Sequence, residues 1–397
     1  MNKPAVILFS VIIIIMAAAM AINCSRSAES AGSSGSAKST GAIKFYVGSS
    51  DGKQEHSIFL CELRPESGEF SLLDSFAGAK VPNYLAFSPG GEYLYAISDE
   101  ISDQVNNYHS VTSFRINRGN HKLERLNSQS SQGVGPCHVY CSKKGTYLFV
   151  ANYTGGSVAA FPLSPEGNIL PASSVMQSEG TGPVANRQEG PHTHYVSLDR
   201  KENFLLSPDL GSDRVLIYKF DHNTGILSPN PSQPFLNMPP GAGPRHLVFN
   251  EAGSFIYVVS ELNSTVTACR YNEENGTLTR LNSISTVSES HEGTKYPAAI
   301  RIHPDGNYIY ASTRGDRSSI AVFQLGDNGE FNRIQVMENV PEWPRDFNID
   351  PSGHYLLAAG ERSDEIRLYK LDPNSGRLTK TGHSLMINAP GCILFID

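Results

Sequence analysis

From about residue 41 onward, apolar and polar positions recur in a fixed order: a proline, two or three variable residues, a short apolar run, a polar turn, then a strand of aromatic and aliphatic residues. Six copies are visible: PNYLAFSPGGEYLYAIS, PCHVYCSKKGTYLFVAN, PHTHYVSLDRKENFLLSPD, PRHLVFNEAGSFIYVVS, PAAIRIHPDGNYIYAST and PRDFNIDPSGHYLLAAG. Each copy reads as two strands joined by a turn. A second signal alternates with the first, a hairpin turn containing Gly, in RPESGEFSLL, NRGNHKLERL, SPEGNILP, DHNTGILSP, NEENGTLTRL, GDNGEFNRI and DPNSGRLTK. Gly and Asn take the positive φ that tight hairpins require.

Six copies of one signal and seven of the other are reconciled at the ends of the pattern. IKFYVGSS is a strand of the second kind without its partner, and PGCILFID is a strand of the first kind with nothing after it. Each supplies what the other lacks. The pattern therefore predicts an all-β fold, a seven-bladed β-propeller of four-stranded antiparallel blades over 41–397, its ring closed by the C-terminal strand completing the N-terminal blade. A linear solenoid would need atypical capping ends instead of complementary ones.

The repeats also fix a register. Asn83 and Asp99, Cys137 and Tyr153, His194 and Leu210, Arg245 and Glu261, Ala298 and Arg314, and Arg345 and Glu361 are each sixteen residues apart. In antiparallel hairpins this sets the start of each inner strand beside the end of the next, at one mouth of the central channel. Arg245, Glu261, Arg314, Arg345, Glu361, Asp99 and histidines then share one rim. Such a set can hold an anion and move a proton, although a solvated rim of ion pairs would use the same residues. Strand alternation puts His246 on the face opposite Arg245, and His192 and His194 on one face. His138 reads equally as a core histidine. His291, His303 and His354 read as surface residues.

GAGPRHLVFN with SELNSTV, then YASTRGD, then WPRDFNIDPSGHYLLAAGERSDEI, and earlier NRQEGPHTH with PDLGSDRV, resemble the seven-bladed propeller lactonase family. That family includes propeller-type 6-phosphogluconolactonases and is related to fungal carboxymuconate-cyclising enzymes. The resemblance spans about 41–397 and implies an active site at the rim using His194 (or His192), Arg245, Glu261 and Arg314. His194 or Glu261 would activate water. Arg245 and Arg314 would stabilise the oxyanion or bind a substrate carboxylate or phosphate. His192, Arg345, His246 and Asp209 are assigned to substrate binding. The implied substrate is a small anionic sugar lactone, and the scheme calls for no metal and no cofactor. A carboxymuconate-type cyclase or isomerase and a non-catalytic binding propeller are the other readings. Ser264 lacks the Gly-x-Ser-x-Gly setting of a serine hydrolase.

Composition agrees with a turn-rich β protein: 35 Gly and 24 Pro in 397 residues, with 18% charged. A net charge of −7 argues against a nucleic-acid partner, which needs a concentrated basic face. Cys61, Cys137, Cys141, Cys269 and Cys392 show no metal-ligand spacing. Cys137 and Cys141, four apart on one strand, would stand about 13 Å from each other, too far to bridge, and buried free thiols are expected. Residues 1–23 have the layout of a secretory signal, one Lys followed by an apolar run from Ala5 to Ile22. Residues 24–40, beginning at Cys24, read as a flexible tether. Cys24 is placed for lipidation, as in a bacterial lipoprotein, with Asn23 in an unusual position just before it; an uncleaved membrane anchor is the alternative. Both put the propeller outside the cytoplasm. Familiar phosphorylated lactones are cytoplasmic, so either the substrate is another lactone or the chain is not exported.

Overall fold

A computed structural model describes residues 41–103 and 105–396; the signal, the tether and Cys24 lie outside them. Seven antiparallel sheets form a ring. Blade 1 runs outward from the channel as Pro390–Phe395, Ile43–Ser49, Ile58–Arg64 and Glu69–Phe76. Blades 2 to 7 begin with inner strands Leu85–Phe87, Pro136–Cys141, Ser197–Leu198, Pro244–Phe249, Lys295–Ile302 and Pro344–Ile349. Ring closure is as the sequence predicts, with Phe45 paired to Phe395 and Val47 to Ile393.

The strand middles are buried because every blade packs on two others. Tyr46, Ile58 and Leu60 of blade 1 share a cluster with Leu94, Ala96 and Phe114 of blade 2. The same kind of cluster recurs around the ring. Such burial leaves the strand ends free to carry chemistry, since side chains at the channel mouth contribute little to blade packing. All five expected free thiols are buried and unpaired.

The hairpin register holds with one systematic change. In five blades the inner strand carries a one-residue bulge at its first rim position. Pro244 pairs Ser260 but His246 pairs Val259, so Arg245 is the extra residue. Bulges at Cys137, at Arg345, within Ala298–Ala299 and at Gly391 occupy the equivalent place. A bulge bends the strand and re-aims the side chain there. Immediately before the proline of four of these five blades the backbone is left-handed, at Gly135, Gly243, Trp343 and Ala389, with φ from +41° to +65°. Gly243 meets this demand without strain. A Cβ there would also lie 2.5 Å from Leu262 Cγ. Trp343 has a bulky side chain in the same conformation.

Blade 4 departs most from the repeat. Its inner strand is only two residues long, and the isolated bridge Thr193–Asp209 replaces the missing pairs. The stretch from Ser178 to Tyr195 holds no strand or helix, only turns and that bridge. It carries Arg187, His192 and His194.

Candidate active site

Glu261 is the centre of the rim. One carboxylate oxygen accepts from Arg187 Nη2 at 2.5 Å and the other from Arg314 Nη2 at 2.6 Å. Arg245 Nε stands 3.0 Å from that second oxygen, at ion-pair distance but off the line its N–H needs for a hydrogen bond. Glu261, Arg245 and Arg314 are all more than nine-tenths buried. Burial alone would raise the Glu261 pKa, yet Arg314, Arg245 and Arg187 outweigh it and hold it at about 2. The arginines are fixed in turn by the backbone. Arg245 Nη1 donates to Ala298 O at 2.6 Å, and Arg314 Nε to Tyr296 O at 3.2 Å. Burial and neighbouring Arg314 pull Arg245 down to about 9, still cationic at neutral pH.

His194 faces this cluster. Burial first, then Arg245 and Arg345, push its pKa well below the ordinary 6.5, so the imidazole is neutral at pH 7. Its Nδ1 lies 3.8 Å from Cys137 Sγ. Burial pushes that thiol up to about 12, which rules it out as a thiolate nucleophile at neutral pH. A neutral histidine beside two buried guanidiniums can accept a proton where negative charge develops on an adjacent atom.

His246 differs from the alternation expectation. Its Nε2 accepts from Arg245 Nη1 at 3.2 Å, so the two side chains meet. The bulge at Arg245 breaks the alternation and turns both inward. With Nε2 accepting, Nδ1 is the N–H, and among the described residues that buried donor has no acceptor. His246 belongs to a deeper layer. His138 sits between Tyr84 and Tyr195, 4.0 Å from each ring, and 5.6 Å from His246. Arg301 pairs Asp346 at 2.8 Å below them. His138 is therefore a channel-lining residue, its Nδ1 accepting from Val196 N–H at 3.4 Å.

The remaining expected residues divide. His192 stacks on Tyr153 at 4.5 Å and donates from Nδ1 to Tyr153 O at 3.0 Å, which orients it beside the mouth. Arg345 pairs Glu361 at 3.5 Å and stays partly exposed. Asp99 stands 3.4 Å from His109 Nδ1, which accepts from Gly135 N–H, and makes no ion pair with the arginines around Glu261 among the described residues. Asp209 does not reach the mouth. Its carboxylate accepts from the backbone of His192 and Gly211 and from Ser212 Oγ at 2.6, 3.0 and 2.8 Å, so it holds the His192 segment in place instead of contacting substrate. His303, expected at the surface, is buried, with Nε2 2.8 Å from Gly353 O. Arg187 was not singled out by the sequence. It lies in the irregular part of blade 4, where no register assigns a position, and only its place in NRQEGPHTH associates it with the histidines.

Gly211 packs directly under that segment. A Cβ there would fall 1.8 Å from Gly190 O and 2.9 Å from His192 N. Gly211→Ala is expected to displace the His192–His194 stretch, costing about 1–3 kcal/mol in urea unfolding and lowering kcat/KM in parallel.

A family model described as "Lactonase, 7-bladed beta-propeller" matches residues 44–395. A Bacillus subtilis protein named 6-phosphogluconolactonase is 31% identical, over 88% of this chain and 97% of its own length. One from Formosa agariphila with the same name is 32% identical, over 86% and 96%. The solved structure of a periplasmic gluconolactonase from Pseudomonas aeruginosa superposes with a TM-score of 0.83 at 26% identity, covering 90% of this chain and 99% of that one.

Proposed function

Because the chain belongs to the seven-bladed β-propeller lactonase family, we propose that it opens an acidic sugar lactone at the channel mouth, with His194 as the proton acceptor. At the level of the family it is a lactone hydrolase, a carboxylic ester hydrolase. The observation that carries the residue assignment is the clamp of Glu261 on Arg187, Arg245 and Arg314 beside a neutral, buried His194.

Water attacks the lactone carbonyl carbon as His194 takes its proton. The carbonyl oxygen becomes an oxyanion, stabilised by guanidinium N–H groups of Arg245 and Arg314 that Glu261 does not use. The ring C–O bond then breaks, and His194 returns the proton to the leaving alkoxide. The product is a hydroxy acid, which loses its carboxyl proton to solvent. Glu261 is unsuited to the base role considered alongside His194, because a carboxylate held at about 2 by three cations has little affinity for a proton. Its part is to keep the arginines charged and aimed.

Four arginines, Arg187, Arg245, Arg314 and Arg345, pair with only two carboxylates, Glu261 and Glu361, which favours an anionic substrate or product. Arg345, least committed of the four, binds that anion. Arg345→Ala is expected to raise KM about 10- to 100-fold with little change in kcat, from the ~1.5–3 kcal/mol of a charged hydrogen bond. The name of the Pseudomonas aeruginosa structure supports a lactone met outside the cytoplasm, whereas the bacterial relatives' names support a phosphorylated one. Assaying 41–397 against sugar lactones with and without phosphate separates the two, and ring opening no faster than in buffer across the whole set would remove the enzymatic reading. Export and lipidation remain part of the proposal. Fatty-acid labelling of the full chain is expected to be lost in Cys24→Ala, and an unlabelled wild-type chain would remove the lipoprotein reading.

A further inference from the structure

A second cavity adjoins the channel mouth, between blades 6 and 7. Its lining includes Asp316, Arg317, Asn339, Glu342, Trp343 and Arg362, and its volume of about 640 Å³ lies within the range of small-molecule sites. Its place follows from the chain. Gly315, also in the lining, succeeds Arg314; Arg362 succeeds Glu361; and Trp343 stands two residues before Arg345. The lining is therefore continuous in sequence with Arg314, which pairs Glu261.

Trp343 joins the two spaces. The Arg314 guanidinium carbon is 5.3 Å from its ring centroid, and that of exposed Arg362 rests on the ring at 3.4 Å. Its left-handed backbone, φ +59°, is held by Trp343 N–H donating to Ser318 Oγ at 3.1 Å and by Glu361 N–H donating to Trp343 O at 3.2 Å. The same turn recurs with Ala389 and Gly243, so what is particular here is the indole.

The polar groups show what the cleft suits. Arg317 and Arg362 share the lining with Asp316, Glu338 and Glu342, which leaves no net positive charge to attract a phosphate. Planar donors and acceptors of both signs around an aromatic ring instead suit a neutral polyhydroxy ligand, whose hydroxyls pair with the charged side chains while its C–H face covers the indole. The exposed Arg362 side chain can swing aside to free the ring face that it now covers. We propose that this cleft is a glycosyl subsite, receiving a second sugar residue carried by the substrate beyond the lactone ring. The inference rests on the lactonase reading for its substrate and adds the size of that substrate.

The test compares glucono-1,5-lactone with cellobiono-1,5-lactone, which differs by one added glucosyl unit. The expected result is at least a tenfold higher kcat/KM for the disaccharide lactone, and a ratio returning to near one in both Trp343→Ala and Arg317→Ala. The ratio is the readout, so a general loss of rate in either variant does not mimic it. Trp343 is the only tryptophan in the chain, and cellobiose, which has no lactone, is expected to change its fluorescence saturably in the wild-type protein. Equal kcat/KM for the two lactones with no fluorescence response to cellobiose would overturn the subsite. A saturable response without hydrolysis of either lactone would leave the subsite standing and remove the lactonase reading.

Discussion

Replacing His194 with alanine is expected to lower kcat by about 10²–10⁴, the range for loss of a positioned general base. The remaining activity would come from the arginines, which still polarise the carbonyl for attack by unassisted water. The pH profile gives a sharper signature. His194 must be unprotonated to accept a proton, and burial with Arg245 and Arg345 sets its pKa well below 6.5. Wild-type kcat/KM should therefore stay level as pH falls through neutrality and decline only below 6.5. The variant should lack that acidic limb. A loss smaller than tenfold would place the proton acceptor elsewhere, with His192 the first candidate.

Glu261→Gln carries the second large effect, on stability as well as rate. The neutral amide cannot balance Arg245 and Arg314, both buried, so two like charges remain beside each other without compensation. Breaking a buried pair in this way costs about 3–5 kcal/mol, measurable by urea unfolding, and kcat should fall about 10²–10³ as the guanidiniums leave their positions. The acid dependence has a definite sign. The folded pKa of Glu261 is depressed from 4.5 to about 2, so its contribution is fully present above pH 4.5 and lost as pH falls toward 2. The variant should show less acid loss over that window. A variant as stable as wild type, with the same acid dependence, would mean that Glu261 does not hold the arginines.

Ring, blade number and closure were legible in the sequence because the repeat has a fixed period and complementary ends. The rim was legible as well, since Arg245, Glu261, Arg314 and Arg345 occupy equivalent repeat positions. What the pattern hid lies where the backbone departs from regular pairing. A bulge at Arg245 leaves no mark on hydrophobic alternation, so His246 was assigned to the wrong face. The irregular part of blade 4 has no register, so Arg187 was passed over and Asp209 was credited with substrate contact when its oxygens serve the neighbouring backbone. The depressed pKa of Glu261 depended on charge density: a carboxylate reads as a base until the number of cations around it is known.

Blade 1 joins residues 350 positions apart, Phe45 and Phe395. Bringing such distant segments together costs roughly 5 kcal/mol in chain entropy by the logarithmic loop law, more than a single strand pair returns at first contact. Assembly is therefore ordered in time. Hairpins within each blade form early from local contacts, and the circle locks last, after the final strand has left the ribosome. Until that moment the half-built molecule presents a bare strand edge, Ile43–Ser49, at which copies could pair with one another.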